Sequence, residues 1–215
     1  FYLGRYERAK EILNSTLEIY GREKNSKKID VNQAKVLARL GSVYRNTADF
    51  QKAKECLERA FEVYKAYYGD DHIETAWIST TLGSVYRNIG EYAKAKKLIK
   101  NGYRVYIKHY GEGHRRVVWS SSYLGQIYKN TGDYDASKKV LEKTLDTYER
   151  EFGENHTKTA WILVHLGSVY RNIGYPKKAK DYLLRGVKTY KHQRGKNSFE
   201  YAWSNAHLSA VYRDL

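Results

Sequence analysis

Leu82-Gly83-Ser84-Val85-Tyr86-Arg87-Asn88 decides the fold, because the chain repeats it. It returns as Leu40-Gly41-Ser42-Val43-Tyr44-Arg45-Asn46, as Leu124-Gly125-Gln126-Ile127-Tyr128-Lys129-Asn130 and as Leu166-Gly167-Ser168-Val169-Tyr170-Arg171-Asn172. A last copy reads Leu208-Ser209-Ala210-Val211-Tyr212-Arg213-Asp214. The leucines at 40, 82, 124, 166 and 208 are each 42 residues apart. A fixed period of this length marks a stacked array, in which each repeat buries its apolar face against its neighbours rather than in one closed core.

Outward from the motif, each repeat holds two amphipathic helices. In the first, the Leu, the Val or Ile three later and the Tyr four later face inward. In the second, apolar or small residues recur at three- and four-residue steps. These are Ala53, Leu57, Ala60 and Tyr64, with their counterparts Ala95, Ile99, Gly102 and Tyr106; Ser137, Leu141, Thr144 and Tyr148; and Ala179, Leu183, Gly186 and Tyr190. Residues 1–20 carry the second-helix pattern through Ala9, Ile12, Leu13, Thr16 and Tyr20, leaving Glu7, Lys10, Glu11 and Glu18 outside.

Asn-x-Gly at 88–90, 130–132 and 172–174 turns one helix into the next, since glycine tolerates the left-handed conformation that ends many helices. Ala48 holds that place in the first full repeat, at a small cost. Pro176 opens a helix where its missing N–H does no harm. Between repeats, Gly69, Gly111, Gly153 and Gly195 stop the second helix, and polar residues after them, including His72, His114 and His156, start the next. The irregular connection is the one around Glu23 to Lys28, because the stretch from Tyr20 to Leu40 is longer by two positions than its counterpart from Tyr64 to Leu82.

The expectation is an all-α fold of ten helices in a single domain, 1–215. It comprises an unpaired second helix at 1–20, full repeats at 29–68, 72–110, 114–152 and 156–193, and an unpaired first helix at 198–214. Each unpaired end leaves an apolar face open, which suggests head-to-tail self-association. Among 215 residues there is one cysteine, Cys56, and no methionine. A lone cysteine suits a reducing, cytoplasmic setting, and no apolar run approaches the ~18 residues that span a bilayer. A start in mid-repeat without methionine reads as an excerpt of a longer protein or an engineered chain.

Leu-Gly-x-x-Tyr in the first helix, Gly at the turn, and small-x-x-x-large-x-x-small in the second resemble the tetratricopeptide repeat. The 42-residue length, with the extension Tyr64-Lys65-Ala66-Tyr67-Tyr68-Gly69-Asp70-Asp71-His72, resembles the variety found in kinesin light chains. The resemblance implies a right-handed superhelical solenoid of antiparallel helix pairs whose first helices line a concave groove that holds a peptide or partner segment. Kinesin light chains place asparagines directly before the Leu; here those places hold Arg39, Thr81, Tyr123, His165 and His207.

With the Leu, Val and Tyr inward, the opposite face of the first helix takes the residues five before the Leu, one and two before it, two after it, and five and six after it. All four tryptophans, Trp77, Trp119, Trp161 and Trp203, stand five before a Leu. Arg45, Arg87, Lys129, Arg171 and Arg213 stand five after, and Asn46, Asn88, Asn130 and Asn172 follow them. Arg39, Tyr123, His165 and His207 complete the set. Indoles offer large stiff contact area and guanidinium groups pair bidentately with carboxylates, so this face suits an acidic partner segment with apolar or aromatic side chains. Trp packing between repeats, and helix-dipole stabilisation of Arg in a last turn, account for the same residues without a ligand.

The net charge of +15 and interleaved aromatics raise a rival, single-stranded nucleic acid. Against it, many lysines lie in second-helix runs, Lys94-Ala95-Lys96-Lys97, Lys138-Lys139 and Lys177-Lys178-Ala179-Lys180, expected to form a solvated outer surface. No catalytic set, metal site or cofactor is expected. The three histidines after the glycines read as helix caps, and Cys56, next to Leu57, as a small buried hydrophobe. The reading is a noncatalytic interaction scaffold.

Overall fold

The computed structural model describes residues 2–23 and 29–215, which form ten α-helices and, among the described residues, no strand. In chain order these are α1 (Tyr2–Glu23), α2 (Val31–Asn46), α3 (Phe50–Tyr68), α4 (Ile73–Asn88), α5 (Tyr92–Tyr110), α6 (Arg115–Asn130), α7 (Tyr134–Phe152), α8 (Thr157–Asn172), α9 (Pro176–Arg194) and α10 (Phe199–Asp214). The even-numbered helices are the first helices of the repeats and the odd-numbered ones the second. The longer first connection falls at 24–28, outside the described residues.

The chain divides into two compact blocks, the first ending at Gly111 and the second beginning at Glu112. Within the first, α1 packs on α2, α2 on α3, α3 on α4 and α4 on α5; within the second, α6 to α10 follow the same succession. First helices also touch, α2 with α4, α6 with α8 and α8 with α10.

The glycine of the motif sets the distance between paired helices. A Cβ on Gly83 would lie 2.5 Å from Cγ1 of Ile99, and one on Gly167 2.5 Å from Cγ of Leu183. Gly41 stands in the same relation to Leu57, and Gly125 to Leu141. Those four side chains are fully buried, each contributing roughly 1.5–3 kcal/mol of transfer free energy. In α10 the place is taken by Ser209, which is exposed. The approach is reciprocal: Gly102 makes room for Thr80 Oγ1, and Gly186 for Val164. The residue two before the Leu therefore faces its own second helix. Ala38, Thr80, Ser122 and Val164 are all buried, which removes them from the groove face expected for that position.

Termini follow side-chain chemistry. Gly90, Gly132 and Gly174 hold φ of 83, 79 and 82°, and Ala48 is forced to φ 60° in the equivalent turn. The imidazole Nδ1 of His72, His114 and His156 accepts from the backbone N–H of Glu74, Arg116 and Lys158, at 3.2, 3.2 and 3.1 Å. Asp30 starts α2 with a capping box, accepting from the Gln33 amide while the Gln33 side chain accepts from its own at 3.1 Å.

Three expectations are corrected. Ile12 is 54% exposed, because α1 turns Leu13 and Thr16 toward α2 while Lys10 lies over the Tyr44 ring, 5.6 Å from its centroid. The second-helix lysines are not simply solvated. Lys54 and Lys94 flank the Tyr86 ring at 5.7 and 5.2 Å, Lys138 and Lys178 flank that of Tyr170 at 5.9 and 5.3 Å, and Lys180 lies over Tyr212 at 4.9 Å. Aliphatic stems cover the ring while the ammonium groups meet its negative face. Tyr212 itself is 51% exposed rather than part of the core, with Lys180 of α9 over its ring.

Candidate functional site

The four tryptophans are all half-buried, each keeping part of its indole at the surface. In the first block the Arg39 guanidinium of α2 lies over the Trp77 indole of α4, 5.7 Å from the centroid. In the second block Trp119 meets Tyr123 edge to face at 5.3 Å. From α8 to α10 the rings form a continuous chain: Trp161 to His165 at 4.2 Å, His165 to Trp203 at 5.4 Å and Trp203 to His207 at 5.1 Å, all edge to face. This geometry matches the positive edge of one ring to the negative face of the next.

His165 departs from its expected place on the open face. Only 7% exposed, it is wedged between two indoles. Lys129 Nζ lies 3.4 Å from its Nδ1. An ammonium donates, so Nδ1 is the acceptor in that contact. His207 is half-buried, and burial, with Lys129 and Arg171 nearby, holds its pKa below the ordinary histidine value.

The basic series is held differently in the two blocks. Arg45 donates to Asn46 Oδ1 through Nε and Nη2, at 3.3 and 3.0 Å, and through Nη1 to Ser84 Oγ at 3.4 Å. Arg87 donates to Asn88 Oδ1 at 2.6 Å. The acceptors of Arg45 are neutral, so they leave its guanidinium charge in place. The Asn amide nitrogen, its oxygen occupied, is left as a further donor. Arg171 is ion-paired with Asp214, whose carboxyl it holds below the usual range by hydrogen bonding. Arg213 is exposed, as are Asn46, Asn88, Asn130, Asn172 and Arg39; Arg45, Arg87, Lys129, Arg171 and Tyr123 are half-buried.

What spacing arguments missed is the role of the residue directly before the Leu. Arg39 reaches Trp77 of the following repeat, and His165 reaches Trp203 in the same way. Trp161 and His165, like Trp203 and His207, stand one turn apart on a single helix. His165 thus spans from its own helix's tryptophan to the next one, while Arg39 meets the next repeat's indole and Tyr123 and His207 meet their own. An aromatic, imidazole or guanidinium group at that position was the readable signal. The result is one indole under a guanidinium group in the first block and three indoles interleaved with a tyrosine and two imidazoles in the second, each suited to planar or apolar side chains carried on an acidic chain.

Among the described residues no group of three or more His, Cys, Asp or Glu side chains is placed to hold a metal ion. No helix of the described residues is long and apolar enough to cross a membrane. Cys56 is half-buried, and burial pushes its thiol up to about 11.

Helix pairs repeated every 42 residues, with glycine at their closest approach and polar rings along the first helices, define an α-helical repeat protein. The family model described as tetratricopeptide repeat matches residues 32–108 and 116–192, and the chain belongs to that family. Its fold is similar to that of BtubC (BKLC) from P. vanneervenii, with a TM-score of 0.74 at 18% identity, over 97% of this chain and 84% of that one. It is similar also to a putative kinesin light chain of Podosopora anserina with nearly identical TPR-like repeats: TM-score 0.70, 17% identity, 85% of this chain and 86% of that one. The apo form of RapI gives 0.72 at 15% identity, over 99% and 82%. These identities speak to the fold alone. No curated protein matches the chain.

Proposed function

We propose that the chain is a noncatalytic scaffold that holds a partner protein along the strip of its first helices. The partner segment is acidic and carries apolar or aromatic side chains. The observation that carries this reading is that the four indoles stay half-exposed on first helices, and that in the first block Trp77 stands on α4 with Arg87 and under the guanidinium of Arg39 from α2, where Arg45 rests on neutral acceptors. Stiff aromatic surface and guanidinium groups together are the usual anchors of an interface. Capture of partners from an extract, with wild type against Arg45→Glu with Arg87→Glu, tests it; Arg171 is avoided because Asp214 already neutralises it. Loss of a nuclease-resistant partner in the variant supports the proposal. Retention of nucleic acid alone, lost steeply with salt, would transfer the strip to the rival reading. Close head-to-tail stacking is disfavoured by Ser209, whose side chain occupies the space that glycine leaves in the paired repeats.

A further inference from the structure

The surroundings of the motif tyrosine differ between the two blocks at one place. In the first block a cleft of about 740 Å³ opens between α3 and α5, floored by Leu82 and Tyr86 of α4 and walled by Phe61 and Leu98. Nearby, Lys54 pairs with Glu91 at 3.5 Å and Arg104, a lining residue, with Asp71. The counterpart in the second block, two repeats further on, lies between α7 and α9 over α8. There Leu98 is replaced by Tyr182, whose ring stacks on Tyr170 at 5.3 Å and 23°. Arg185 and Glu149 close it with an ion pair where the first block has Asn101 and Lys65. The surroundings of the motif tyrosine are otherwise alike: Tyr86 donates to Glu58 as Tyr170 does to Glu142, and each ring has its two lysines.

We infer that the first-block cleft is a second docking site, distinct from the indole strip, that receives an aromatic side chain of a partner protein in the place Tyr182 fills in the second block. The protein's own tyrosine shows which shape fits above the motif tyrosine. The α5 wall adds Lys97 and Lys100, exposed and without an ion-pair partner among the described residues, so the segment flanking that ring carries carboxylates on this side.

The probes are two blocked peptides, Glu-Glu-Tyr-Glu-Glu and Glu-Glu-Ala-Glu-Glu. Calorimetry counts every site, whereas tryptophan emission reports only the indole strip, because no tryptophan lines the cleft. The tyrosine peptide is expected to occupy a site, silent in emission, at least ~10-fold more tightly than the alanine peptide, as burial of one aromatic ring implies. Leu98→Tyr should remove that site from the calorimetric stoichiometry and leave the emission titration unchanged. Tyr182→Leu with Arg185→Asn should add one site. Equal binding of the two peptides, an unchanged stoichiometry in folded Leu98→Tyr, or no added site in the second-block variant would each overturn the inference. An emission titration lost for all probes, with the silent site kept, would count against the strip and support the cleft.

Discussion

The guanidinium of Arg39 rests over the indole of Trp77, one repeat further along, 5.7 Å from the ring centroid. Arg39 is exposed, so the contact belongs to the weaker range of cation–π interactions, about 0.5–1 kcal/mol. A double-mutant cycle of Arg39→Ala and Trp77→Leu, read by urea unfolding, should give a coupling energy in that range. A coupling near zero would mean the arginine is held only by solvent.

Closest approach of the paired helices predicts that equivalent positions respond for different reasons. Gly167→Ala puts a methyl group 2.5 Å from Leu183 Cγ, a branch point that cannot swing away, so overpacking of roughly 1–3 kcal/mol should outweigh the ~1 kcal/mol gained in helix propensity. Ser209→Gly, at an exposed site, should lose only the few tenths of a kcal/mol that separate glycine from serine in a helix. Urea midpoints of the two variants check this.

Ala48 is the one non-glycine residue at positive φ among those described, in a turn where three other repeats use glycine. Left-handed backbone costs an L-residue roughly 1–2 kcal/mol, partly offset by glycine's greater unfolded entropy. Ala48→Gly should therefore stabilise the protein by about 1 kcal/mol in chemical denaturation. Destabilisation would contradict the strain argument.

The repeat, the helix order, the turn glycines and the histidine caps were all legible, because each depends on local spacing or on backbone chemistry that one residue satisfies. The buried place of His165 was not. Helical phase puts it on the open face, but whether that face is covered depends on the next repeat, where Trp203 closes over it. The lysines over Tyr86 and Tyr170 were hidden for a similar reason, since a long aliphatic stem lets a charged residue cover a ring on another helix while its pattern still reads as solvent-facing. Thr80 was hidden because its facing partner, Gly102, has no side chain to betray the contact.

The histidines tie stability to pH. Burial, Lys129 and Arg171 hold His207 below the ordinary histidine value of 6.5. Burial, Arg115 and Arg116 do the same for His114. A depressed histidine pKa means that the unfolded chain takes up protons first, so stability falls as pH drops through 6.5 and below. Urea unfolding from neutral pH down to about pH 5 should show that loss, and His207→Gln should flatten it. A steeper slope in that variant would place the proton uptake elsewhere.

All four tryptophans lie on proposed contact faces, Trp77 in the first block and Trp119, Trp161 and Trp203 in the second, which makes their emission a direct probe of both. Titrating an acidic, aromatic-containing peptide while exciting tryptophan selectively should give a saturable blue shift as the half-exposed indoles are covered. The part of the shift that comes from Trp77 should be lost in Arg45→Glu with Arg87→Glu. Peptide binding seen by calorimetry with emission unchanged across every site would contradict the account, because a bound segment could not then be lying on the indoles.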